Sequence, residues 1–130
     1  MIKIFYLLII LIILPFKINA AEIQILSDIP GQGIEIKNHF KVYVNYTGSL
    51  ENGIVFDSNL KKSKPFIFQI GLGQVIQGWE RGILGMRVGG KRTIKIPPKL
   101  AYGSRGTGEL IPPNTTLIFD IEIIDAKKPG

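Results

Sequence analysis

Seven residues of this 130-residue chain could do chemistry together: Tyr46, Phe56, Asp57, Phe66, Trp79, Tyr102 and Phe119. Six are aromatic and one is a carboxylate. Asp57 directly follows Phe56 among apolar neighbours, where an ionised carboxylate is costly unless donors satisfy it, and the Tyr46 hydroxyl could serve. Any one of the rings alone reads as ordinary core, but the tyrosines keep polar handles that core packing does not require. What is missing narrows the chemistry further. The chain has no cysteine, which removes disulfides, thiolate metal sites and thiol nucleophiles. His39 is the single histidine and reads as a solvated turn residue beside Asn38. Ser49 and Ser104 have no local base, so no Ser-His-Asp triad is in view. No carboxylate and histidine cluster stands ready for a metal, and the glycines of Gly71–Gly73 and Gly103–Gly108 lack the pattern and lysine of a phosphate loop. An aromatic pocket without nucleophile, base, metal or cofactor either only binds, or catalyses a reaction that needs none of them.

The elements that must position these residues follow from periodicity. Ile76, Trp79 and Ile83 recur at three and four, which predicts one short amphipathic helix of about three turns from Gly73 onward. Elsewhere the apolar period is two. Val42, Val44 and Tyr46 share one face of a strand over Lys41–Ser49, and Asn52-Gly53 closes a hairpin into Ile54–Asp57, both residues of the pair tolerating positive φ. Phe66, Phe68 and Ile70 share a face after Pro65, Ile94 and Ile96 alternate within Lys91–Ile96, and Leu117, Phe119, Ile121 and Ile123 alternate within Thr116–Ile124. Glu22–Ser27 reads as a modest edge strand. The Gly- and Pro-rich loop from Gly103 to Pro113 ends in two exposed-looking aliphatics, Leu110 and Ile111, and a loop of that length is usually functional. The expected fold class is α+β, an antiparallel half-barrel of five to six strands around one short helix. One helix cannot fill such a sheet end to end, so an apolar hollow is expected near Val75, Ile76 and Trp79.

Met1-Ile2-Lys3 followed by a thirteen-residue apolar run, Ile4–Phe16, reads as a secretory leader at residues 1–20, with cleavage after Ala20 or Ala21. A helix of that run spans about 20 Å, short of the roughly 30 Å hydrocarbon core, although an uncleaved anchor stays open. Residues 21–130 then form one domain. No Cys follows for lipidation and Lys127-Lys128-Pro129-Gly130 is no retrieval signal, which favours a bacterial periplasm or secretion. The net charge of +6 is spread over lysines such as Lys61, Lys62 and Lys64 without aromatic interleaving, which reads as solvated surface and not as a nucleic-acid patch.

Val44-Asn45-Tyr46-Thr47-Gly48, Val55-Phe56-Asp57-Ser58, Val75-Ile76-Gln77-Gly78-Trp79-Glu80, Ala101-Tyr102-Gly103, Ile111–Leu117 and Phe119-Asp120, six motifs in order over about Gly33–Asp125, resemble the FKBP-type peptidyl-prolyl cis-trans isomerases. The resemblance implies X-Pro bond rotation with no cofactor, proline-containing peptides and unfolded proteins as substrates, and macrolide inhibitors. It maps the pocket onto Tyr46, Phe56, Asp57, Phe66, Val75, Ile76, Trp79, Tyr102, Ile111 and Phe119, with Trp79 as the floor. It places Leu110 where isoleucine is frequent and Thr107 where histidine often stands, departures that bear on sequence preference. The dimeric, infectivity-potentiator type carries a helical arm before this domain. Only twenty or twenty-one residues separate the leader from Val42, too few for such an arm, so a monomer is expected. The competing reading is a proline-binding chaperone or adhesion module with little catalytic activity.

Overall fold

The computed structural model describes residues 22–130; the expected leader and its cleavage site lie outside the described residues. In chain order these form β1 (Gln24–Ile29), β2 (Lys41–Leu50), β3 (Val55–Ser58), β4 (Phe66–Gln69), α1 (Gln77–Ile83), β5 (Lys91–Ile96), a 3₁₀ turn (Pro98–Leu100) and β6 (Leu117–Lys127). All strand pairs are antiparallel, in the order β1-β5-β6-β2-β3, with β4 also on β2. The expected half-barrel with one short α-helix is what residues 22–130 form, and the weak first strand does lie at an edge.

β2 and β6 make the spine, paired along their whole length. Val42 and Val44 of β2 and Leu117, Phe119, Ile121 and Ile123 of β6 are buried, as period-two alternation requires of a sheet with one covered face. β6 runs past the expected end at Ile124, because a bulge there lets two exposed residues, Ile124 and Asp125, follow one another before Ala126 turns inward. Alternation broke in the sequence, but pairing did not. In the β2–β3 hairpin only Gly53 takes positive φ (89°), while Asn52 instead accepts the Ile54 N–H on its side chain at 3.0 Å.

The second edge of β2 is shared. β4 covers Lys41–Val44 and β3 covers Thr47–Ser49, which leaves a gap in the ladder between them. Asn59, the one buried polar side chain among the described residues, fills it. Its Oδ1 accepts the Tyr46 N–H at 2.7 Å and its Nδ2 donates to the Val44 carbonyl at 2.9 Å, so an amide side chain stands in for a strand.

α1 is two turns long, shorter than expected. Residues 73–76 are occupied otherwise: the Glu80 carboxylate accepts the N–H groups of Gly71 and Gly73, Gln74 accepts the Gln69 N–H, and Ile76 is extended (φ −60°, ψ 152°). The helix buries Gly78, Trp79, Gly82 and Ile83 against the sheet. A Cβ on Gly78 would stand 2.4 Å from Ile96, and one on Gly82 2.7 Å from Ile94, so the two glycines let the helix settle directly on the β5 side chains. At its C-terminal end Arg92 donates to the Gly82 carbonyl at 3.0 Å and pairs with Asp28 through two nitrogens, tying helix, β5 and β1 together.

Two effects of opposite sign meet at Gly78. Alanine would gain about 1 kcal/mol in helix propensity, but a methyl with three Ile96 atoms within 2.8 Å costs about 2–3 kcal/mol, the upper part of the overpacking range. We therefore expect Gly78→Ala to lower the unfolding free energy in urea by about 1–2 kcal/mol. A variant as stable as the parent would show that the helix does not rest on Ile96.

Candidate functional site

Nine of the candidate residues converge on one cavity of about 480 Å³: Tyr46, Phe56, Asp57, Phe66, Val75, Ile76, Trp79, Tyr102 and Phe119. Each element supplies its part for a local reason. α1 presents Trp79, only 4% exposed, upward from the floor. β2 and β6 place Tyr46 and Phe119 on the inward phase of their alternation. In β3, Gly48 pairs with Asp57 and Ser49 with Val55, so Phe56 is the extra residue of a bulge. That bulge is why two consecutive residues, Phe56 and Asp57, both face the cavity, which a regular strand forbids.

The rings form an edge-to-face box around the indole. Tyr46 lies 5.1 Å from Trp79 at 76°, Phe119 5.2 Å away at 90° and Phe66 6.0 Å away at 84°, the perpendicular arrangement that aromatic quadrupoles favour. Phe56 stands against Phe119 at 89°, and Phe68 supports the indole from 5.8 Å without reaching the cavity. The Trp79 Nε1 is buried with no hydrogen-bond partner among the described residues, a cost of about 1–3 kcal/mol that the floor carries.

One charged group is present, and it is engaged. The Tyr46 hydroxyl donates to Asp57 Oδ2 at 2.7 Å. Burial, then the hydrogen bond to and charge of Asp57, and then Tyr102 push the Tyr46 phenol well above its ordinary range. Burial and the Asp57 charge raise the Tyr102 phenol as well. Both tyrosines therefore remain neutral hydrogen-bond donors near neutral pH. The Ile76 carbonyl closes the first turn of α1, accepting from Trp79 and Glu80 at 3.0 and 3.2 Å. The N–H of Ile76 finds no acceptor among the described residues, and Ile76 is one of the residues that line the cavity. His39 is an exposed turn residue at φ 72°, well outside the site.

Leu110 and Ile111 do not line the cavity. The sequence presents them as an exposed pair; in the structure Leu110 is 63% exposed and Ile111 is buried. A tight turn, with Thr107 N–H on the Ile111 carbonyl at 3.0 Å, sends the two consecutive side chains to opposite sides. Gly73 and Gln74 also line it, although the sequence marks them only as the start of the helix signal; Glu80, which the sequence marks only as part of that signal, and Asn59, which it does not mark at all, hold the Gly73–Ile76 segment and Tyr46 in place. Glu80, in the first turn of a helix that follows a glycine-rich loop, carried a readable signal. Asn59, inside a lysine-rich loop, carried none.

A six-stranded antiparallel sheet, one short helix and an aromatic cavity floored by a tryptophan define a class. Residues 33–124 match the family described as FKBP-type peptidyl-prolyl cis-trans isomerase, and the chain belongs to that family. It is 47% identical over 118 residues to peptidyl-prolyl cis-trans isomerase FPR2 of Saccharomyces cerevisiae, covering 88% of this chain and 87% of that protein. It is 62% identical over 85 residues to FK506-binding protein 2 of Candida glabrata, a match that takes in 65% of this chain and 62% of that protein. Among solved structures it resembles the crystal structure of AtFKBP13, with a TM-score of 0.72 and 44% identity over 81% of this chain and 91% of that one.

The raised Tyr46 phenol has a consequence for stability. Its folded pKa lies above the unfolded value of about 10, so its contribution is full below pH 10 and is lost as pH rises through the folded value. Tyr46→Phe should be less stable than the parent at pH 7, and urea titrations should show that gap narrowing steadily above pH 10. A gap that stays constant to pH 12 would mean that Tyr46 ionises as freely in the folded state as in the unfolded one.

Proposed function

We propose that this protein catalyses cis-trans rotation about X-Pro bonds of exported proteins and so assists their folding. The observation that carries this is the edge-to-face box of Tyr46, Phe66 and Phe119 around Trp79, a ring-sized apolar slot whose single carboxylate is already held by Tyr46. X-Pro rotation breaks no covalent bond. Its barrier, about 18–20 kcal/mol, is amide resonance. Twisting the bond localises the nitrogen lone pair and shrinks the amide dipole, so a dry aromatic wall favours the twisted amide over the planar one. A million-fold acceleration requires about 8 kcal/mol of such differential binding. The prolyl ring packs on Trp79 between Phe56, Tyr46 and Phe119, with Phe66 and Val75 at the rim. The Ile76 N–H and the Tyr102 hydroxyl donate to substrate carbonyls flanking the ring. Asp57 orients the Tyr46 hydroxyl; the 2.7 Å bond between them supports this role over direct contact with the substrate amide. Macrolides that present a proline-like ring occupy the same slot, as the name FK506-binding protein 2 of the Candida glabrata relative suggests.

The test is a protease-free isomerisation assay on a proline tetrapeptide. No lining residue is a histidine or cysteine, and the two phenols are held neutral, so kcat/KM should be flat from about pH 6 to 9 with almost no solvent isotope effect. Phe119→Ala should cost about tenfold or more in kcat/KM, or about 1.4 kcal/mol, and should weaken FK506 competition in parallel. A bell-shaped profile, or full activity without the Phe119 ring, would overturn the twist mechanism at this site.

We further propose that residues 1–20 direct export to a bacterial periplasm or the cell exterior and that the mature protein is a monomer. A chain starting at Glu22 should be soluble, sediment as a monomer and keep full activity. Retention of the full-length chain in the cytosolic fraction would count against export, and loss of activity on truncation would make the leader part of the fold.

A further inference from the structure

Between β3 and β4 the chain bulges into a lysine-rich loop, and this loop roofs a second cavity of about 320 Å³. Tyr46 and Phe66 line both cavities, and their rings, 5.9 Å apart, form the shared wall. The rest of the second lining is dominated by Lys62, Ser63 and Lys64. Neither lysine has an ion-pair partner among the described residues. Asn59, also in the lining, has its amide committed to the β2 backbone, so the groups left to meet a ligand are two ammoniums and a hydroxyl. Asp57, the carboxylate of the first cavity, does not line the second. The two cavities thus differ in sign: a carboxylate marks the proline slot and positive charge marks its neighbour.

We propose that the second cavity is a specificity subsite for an anionic side chain, carboxylate or phosphate, carried by the substrate within three residues of its proline. The proposal rests on the prolyl ring occupying the Trp79 slot. An extended peptide advances about 3.3 Å per residue, so a side chain one to three residues from that ring can cross the Tyr46–Phe66 wall and reach Lys62 and Lys64. Lysine offers point charges without the planar fork of arginine, so the site reads charge more than shape and takes either anion. The lysines are exposed, which limits each pair to about 0.2–1 kcal/mol. Two of them give roughly a twofold to thirtyfold preference, screened by salt because the Debye length is about 8 Å at physiological ionic strength.

The test uses matched proline peptides carrying Glu, phosphoserine, Gln or Lys at each of the three positions on either side of the proline. Binding is read by fluorescence of Trp79, the single tryptophan of the chain, and does not depend on turnover. At low salt the full chain should bind the Glu or phosphoserine peptide several-fold more tightly than the Gln peptide at one or more positions, and the Lys peptide least. The order should collapse in about 0.5 M salt and invert in the double variant Lys62→Glu, Lys64→Glu. The Gln peptide should bind both proteins alike, which separates the subsite from the proline slot; Phe119→Ala weakens all four peptides if the slot is assigned correctly. Equal affinity for Glu, Gln and Lys peptides at every position would overturn the subsite. So would an anionic preference that survives the double charge reversal.

Discussion

The depth at which α1 lies on the sheet governs everything else in this protein. The helix has only two turns, too few to be stable in water on propensity, and exists because its buried face meets Ile94 and Ile96 of β5 at the distances that Gly78 and Gly82 permit. A helix held one methyl further out would shift Trp79, the floor of the cavity, relative to the rings on the sheet. The absence of two Cβ atoms therefore sets how closely the helix approaches β5, and Arg92, which bonds both Asp28 and the Gly82 carbonyl, fixes the helix's C-terminal end.

The wall opposite the helix depends on departures from regular pairing. A regular β3 could show either Phe56 or Asp57 to the cavity, and the bulge shows both. Because β3 and β4 share this edge, β2 has no continuous partner between them, and the Asn59 amide repairs the ladder where Tyr46 must be held. Gly48, opposite Asp57, leaves room for the rings of Phe56 and Phe119, which approach within 3 Å of where its Cβ would be. Tyr46 is thus fixed twice, through its N–H by Asn59 and through its hydroxyl by Asp57.

Electrostatically the site is quiet by construction. Burial of the phenols raises their pKa values, and the one carboxylate raises them further, so the donors that face a substrate keep their protons. A pocket of neutral donors and ring faces suits a transition state that differs from its ground state in dipole and geometry and not in net charge. The positive loop beyond the Tyr46–Phe66 wall lies outside this environment, in solvent, where charge can bias which peptide arrives without altering the slot.

The sequence by itself determined the fold class, the inward faces of β2, β5 and β6, and nine of the residues around the cavity. Period-two and period-three-to-four patterns are properties of the backbone and survive without knowledge of partners, and the spacing of the six motifs supplied the rest. It also determined what the site lacks, since an absent cysteine or a single remote histidine needs no structure. Only the tertiary structure decided how Ile111 and Leu110 part company, how short the helix is, and how β6 continues through Ile124. The first and last depend on a turn or bulge that shifts the phase by one residue, and a shift of one residue exchanges inside for outside; the helix is short because Glu80 and Gln74 hold the preceding segment in another conformation. Asn59 was out of reach for a different reason. Its importance comes from a gap along the edge of β2, thirteen to fifteen residues away in the chain, and that gap exists only once β3 and β4 have both docked on the same edge of β2.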